Sequence, residues 1–177
     1  EKTQTWSNGL IQDYKDMLNT FAKTFMTYTN NVYAQSAKPS LSSDHFSHLQ
    51  NDTVLMNYDR NIQIGSFDIV VYDEKGVEAT RKTITIDVNT TMQDIINQIS
   101  SNTDDNNDLN NQNDLDDHVS AMFSYDGRTN QGQFQINLVN PGFKIAIEDN
   151  GTNFPGAFNI GGLFTGTNAN NIAVKGE

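Results

Sequence analysis

Asp44, His45 and His48 place three side chains able to ligate a metal within five positions. Zinc is the ion such a set suits, but it needs a third or fourth protein ligand at fixed spacing and hydrogen-bonded partners that aim the rings. No His-Glu-x-x-His occurs, and the third histidine, His118, belongs to another segment, so the trio reads as part of a polar linker. The acidic run Asp104-Asp-Asn-Asn-Asp108, continued by Asp114, Asp116 and Asp117, has the oxygen chemistry of a calcium loop. An EF-hand wants glycine at loop position six and glutamate at twelve, and counted from Asp104 those positions hold Leu109 and Leu115. A solvated loop is therefore preferred over weak calcium binding. Paired carboxylates for glycoside hydrolysis need burial and opposed pKa values, whereas the acids here cluster in polar, glycine-rich surroundings. Gly-x-Ser-x-Gly, the phosphate-binding Gly-x-x-x-x-Gly-Lys-Ser/Thr and a dinucleotide fingerprint are all missing. The absence of cysteine excludes thiol catalysis, disulfides and thiolate metal sites. No catalytic residue, cofactor or metal site is expected, and the chain is read as a non-enzyme.

The strongest pattern is instead a surface. Ile11, Tyr14, Leu18, Phe21, Phe25, Tyr28 and Val32 recur at alternating spacings of three and four, the a/d stripe of a heptad repeat. They draw one apolar seam along a helix expected from Trp6 to about Ala37, with Ser7 or Asn8 as its N-cap and Pro39 ending it. Leu10 and Met17 widen the seam, while Gln12, Asp13, Lys15, Asp16, Asn19, Lys23 and Thr27 face water on the other side. About thirty residues give a helix roughly 45 Å long. Burying the seven seam residues would contribute on the order of 10–20 kcal/mol as an upper bound. The seven are the candidate interaction residues, and residues 1–38 form the first unit.

Residues 39–177 read as a β-rich unit. Residues 39–60 are expected to be a linker that becomes ordered on the surface of that unit. Residues 66–73 and 80–88 alternate as two strands around the turn Asp73-Glu-Lys-Gly76, with Phe67, Ile69 and Val71 facing one way. Thr90-x-x-Gln93 predicts a capping box, and Met92, Ile95, Ile96 and Ile99 an amphipathic helix across the hairpin. Residues 102–113 are nearly all Asn, Asp, Thr and Gln, and predict a mobile surface loop. Residues 115–122 predict a short helix with Val119 and Met122 inward. Strands are expected near 122–125, 133–138 and 143–147, separated by turns at Asp126-Gly and Asn140-Pro-Gly142. The tail carries a Leu163–Phe164 anchor and a strand-like 172–174. The fold class is α+β: one long N-terminal helix followed by a mainly antiparallel β domain with one or two short packed helices. A net charge of −11 disfavours nucleic acid and anionic membrane as partners. Opening at Glu1 shortly before a long helix, the chain is expected to be part of a larger protein.

Two stretches carry a resemblance. Residues 16–35, Asp-Met-Leu-Asn-Thr-Phe-Ala-Lys-Thr-Phe-Met-Thr-Tyr-Thr-Asn-Asn-Val-Tyr-Ala-Gln, resemble the Leu-rich helix of the flagellar hook-associated protein 1 family. That helix ends in a Val-Asn-x-x-His-x-x-Gly phrase. Here Asn31, Tyr33 and Ala34-Gln-Ser stand in its place, without the His and Gly. Residues 161–174, Gly-Gly-Leu-Phe-Thr-Gly-Thr-Asn-Ala-Asn-Asn-Ile-Ala-Val, are similar to the phrase with which the family's chain leaves its outer domain. The hairpin at 67–87 and the helix at 90–99 look like its outer-domain phrase. The resemblance implies a structural adaptor joining the flagellar hook to the filament, exported without a cleaved leader and assembled outside the cell. It implies as partners the hook protein, a second hook-associated protein, other copies of the chain and an export chaperone. The rival expectation is an adhesin-like extracellular module, or another hook-type axial module. The adhesin-like case would have the helix folded back onto its own core.

Overall fold

The computed structural model describes residues 2–175, with side chains from Gly9 onward. Helix α1 (Lys2–Ala34) is followed by an antiparallel β unit, so the α+β expectation holds. The helix begins ahead of Ser7 and Asn8, the expected caps, and passes through Gly9 unbroken. It stops at Ala34, and Lys38 then pairs with Ile145 just before Pro39.

Two sheets share the core. In the first, β3 (Gly65–Tyr72) lies between β4 (Glu78–Ile86) and β7 (Lys144–Asp149), antiparallel to both. The turn at Asp73 closes as expected: Val77 and Asp73 pair by their backbones, and Gly76 takes a left-handed φ of 78° that favours glycine. In the second, β6 (Gln131–Leu138) pairs on one side with β5 (Val119–Asp126) and on the other with β1 (Ser40–Ser42) and β2 (Phe46–Ser47). Phe67, Ile69, Val71, Ile84 and Ile147 from the first sheet meet Leu41, Phe134 and Ile136 from the second. Helix α3 (Met92–Ile99) closes the layer with Met92, Ile95 and Ile99. An aromatic cluster fills the centre: Phe154 stacks on Phe67 at 4.9 Å and meets Phe158 edge-on at 5.4 Å.

Several expectations change. Residues 39–60 are not a surface linker: Leu41, Phe46, Leu49 and Leu55 are core residues, and β1, β2 and α2 (Leu55–Tyr58) are its elements. Four apolar side chains among many polar ones gave too weak a periodicity, because each short element buries only one or two. The capping box sits one residue later, where Thr91 and Asp94 exchange hydrogen bonds; Thr90 instead closes the preceding turn on Asp87. The short helix at 115 is a single turn, α4 (Leu115–His118), after which the chain extends as β5, so Val119 faces inward but Met122 is exposed. The loop at 102–113 is anchored by Lys82, which pairs with Asp105 at 3.2 Å, both side chains being buried. Short α5 (Phe154–Ala157), β8 (Phe164–Thr165) and β9 (Ala173–Val174) complete the chain. Among the described residues no helix is long and apolar enough to cross a membrane.

Candidate functional site

The heptad seam does not pack on the β unit. Ile11, Tyr14, Leu18, Phe21, Phe25, Tyr28 and Val32 are 45–69% exposed, and Leu10 and Met17 are equally open. Nine large side chains so exposed present on the order of 1,000 Å² of continuous surface, against a few hundred for an ordinary patch. The Phe25–Phe164 contact, 5.4 Å between rings, ties the seam to the rest of the chain.

What holds α1 is a neighbouring stripe, about one residue or roughly 100° around the helix. Ala22, Met26, Thr27, Asn30 and Ala34 are buried there. This stripe is small and polar, and its specificity comes from two adjacent asparagines. The Asn30 amide donates to the Phe164 carbonyl (3.0 Å) and to Asn159 Oδ1 (2.6 Å), while its oxygen accepts the Phe164 N–H (2.8 Å). A side-chain amide thus pairs with a strand backbone as another strand would. Asn31 accepts the Gly156 N–H (2.6 Å) and donates to Asn153 Oδ1 (3.0 Å). Further up, Asn19 accepts the Ala169 N–H and Lys23 pairs with Asp59 at 3.0 Å. The backbone approaches closely: a Cβ on Gly156 would collide with the Thr27 carbonyl oxygen, and one on Gly162 would lie 2.5 Å from Asn30. Asn19, Lys23 and Thr27, expected to face water, are therefore docking residues. The sequence signal was available in Ala22, Met26, Asn30 and Ala34 at i, i+4 spacing, but a stripe of Ala and Asn is quiet beside one of Phe and Tyr.

Beneath the docking stripe, Asp44 ties three segments together. Its Oδ2 accepts from Asn159 (2.7 Å) and Thr165 (2.6 Å), and its Oδ1 meets Lys175 at 2.9 Å. These bonds hold the tail segments at Asn159, Thr165 and Lys175 to Asp44. His48 lies against Asn130 and does not join it. Lys38, at the exit of the helix, donates to the Tyr33 and Gly161 carbonyls and lies over the Tyr33 ring at 4.0 Å. Burial, reinforced by the positive charge of Lys175, lowers its pKa from 10.5 to about 8.

No family model and no curated protein matches this chain. The geometry therefore stands alone: a long helix gripped along one stripe, with its most apolar stripe turned out.

The docking contacts make two outcomes testable. Asn30→Leu keeps the side-chain size but leaves the Phe164 backbone groups and Asn159 Oδ1 unpaired, and should reduce unfolding free energy by about 2–4 kcal/mol in urea titration. The folded state holds the Lys38 proton less tightly than the unfolded chain, so unfolding takes up a proton between the two pKa values. Stability should rise with pH from about 8 to 10.5, and Lys38→Met should remove that rise in melts across the window.

Proposed function

We propose that this chain is a structural subunit of the bacterial flagellum, an adaptor at the hook–filament junction that performs no catalysis. The observation that carries the proposal is the seam: a three-heptad apolar stripe, held outward by a helix whose neighbouring stripe is already occupied. Such a stripe is suited to pairing with other helices, as the inner helical layer of an axial assembly requires. The β unit, rigidly attached on one side, would face outward.

The resemblance supports the flagellar setting in a second way. The two stretches that carry it, at 16–35 and 161–174, are in direct contact through Asn30 with Phe164, Phe25 with Phe164, and Asn19 with Ala169. Residues distant in sequence that share one resemblance also share one interface. The proposed partners are the hook protein, a second hook-associated protein and other copies of this chain, with an export chaperone shielding the seam before assembly. The site of action is outside the cell. An adhesin-like module with its helix folded on its own core would need the seam covered by residues 39–177, and the described part of that unit leaves it open.

Leu18→Asp combined with Phe21→Asp tests the proposal, because both side chains point away from the β unit. In the source bacterium the doubly substituted protein should be exported and folded, while hooks lack filaments, filament subunits are shed into the medium and motility is lost. Wild-type motility with intact filaments would contradict it.

A further inference from the structure

The exit of α1 carries a positive charge that the described chain does not balance. Lys38 takes part in no ion pair among the described residues, although the sequence holds 22 Asp and Glu against 11 Lys and Arg. Its half-buried ammonium donates to the Tyr33 and Gly161 carbonyls and lies over the Tyr33 ring. These partners are dipoles and a ring face, and none of them supplies a full negative charge. A charge drawn partly out of water without a counter-charge is costly to keep.

A second ammonium faces the same space. Lys175 meets Asp44 Oδ1 at 2.9 Å and donates to the Asn159 carbonyl at 2.8 Å. Its charge adds to the effect of burial in making the Lys38 proton easier to lose. Both lysines line one cleft of about 740 Å³, together with Tyr33, Leu163 and the exposed Ser40 and Ser42. Among the described residues no Asp or Glu lines this cleft. An ammonium has three N–H donors. Two of them are taken on Lys38 and two on Lys175, so each lysine keeps one.

The donor set selects the ligand. Two N–H donors on separate ammoniums suit the two oxygens of one carboxylate, and charge-assisted bonds of this kind are the strong ones. Ser40 and Ser42 add hydroxyl donors, while Tyr33 and Leu163 give an apolar wall for the chain that carries the acid. We propose that this cleft binds an acidic peptide segment of a partner protein, one carboxylate of which bridges Lys38 and Lys175. The bound acid turns the repulsion between the two ammoniums into two attractions and gives Lys38 the counter-charge it lacks. This inference does not depend on the flagellar proposal.

NMR titration of the whole chain, carrying ¹³C at the lysine ε-carbons, with acetylated penta-aspartate amide tests it. The expected result is saturable binding at low salt that weakens as ionic strength rises, with the pKa of Lys38 moving up from about 8 towards 10.5. Lys38→Met removes the charge, and should weaken binding about tenfold with the far-UV circular dichroism unchanged. Lys15→Met and Lys75→Met remove exposed charges elsewhere and should leave it. The Lys38 shift is read in the unsubstituted chain, so it tests the site whether or not Lys38→Met folds. No binding at low salt, no upward shift at Lys38, or full affinity in folded Lys38→Met would overturn the proposal. So would inorganic phosphate binding as tightly as the peptide at equal ionic strength, which would mark a site for any anion. Binding seen only after Glu177→Gln would overturn it as well, since the occupant would then be the chain's own acid.

Discussion

The orientation of the whole molecule turns on one buried side-chain amide. Asn30 closes a two-way hydrogen-bond pair with the backbone of Phe164, and that pair specifies both which side of α1 meets the β unit and at what height along the helix. An apolar docking face could slide or roll by a residue at little cost. An amide that must match one N–H and one carbonyl cannot, because any other register leaves buried polar groups unpaired. Gly156 and Gly162 permit the approach, since a methyl group at either would collide with the helix. With the small polar stripe so engaged, the larger aromatic stripe has nowhere to go but outward.

This division of labour between adjacent stripes reconciles two facts that look opposed. A domain of this size with 36% hydrophobic residues has little apolar material to spare, yet it leaves the seven seam residues of one helix and their neighbours Leu10 and Met17 in water. The β unit satisfies its own core with short contributions from many segments, and it binds the helix by hydrogen bonds instead. Hydrophobic surface is thereby left open for the contacts between chains proposed above, where non-directional attraction is an advantage, and directional bonds are used within the chain, where register must be fixed.

Long elements with a strong period were legible in the sequence: the seam of α1, the 65–86 hairpin with its Asp73–Gly76 turn, and the apolar face of α3. The docking stripe was not, because Asn30 and Ala22 carry no hydropathy signal and their meaning depends on partners far away along the chain. Leu41, Phe46, Leu49 and Leu55 were hidden for a related reason, each being the lone core residue of a very short segment. Met122 was misplaced because one turn of helix and the first residues of a strand share an inward Val119 before their periods diverge. In the acidic segment, composition showed the carboxylates, but only the fold shows that Asp105 is buried against Lys82.

The central claim is that one stripe of α1 belongs to the chain and its neighbour to an assembly. Because the chain has no native cysteine, a single cysteine can report on each stripe separately. Thiol labelling of Leu18→Cys and Met26→Cys variants, in the isolated chain at low concentration and in purified flagella, tests the claim most directly. The account predicts that the thiol at position 18 reacts readily in the isolated chain and is protected in the flagellum, whereas the thiol at 26 is protected in both. Protection at position 18 in the isolated chain, or undiminished reactivity there in the flagellum, would contradict it.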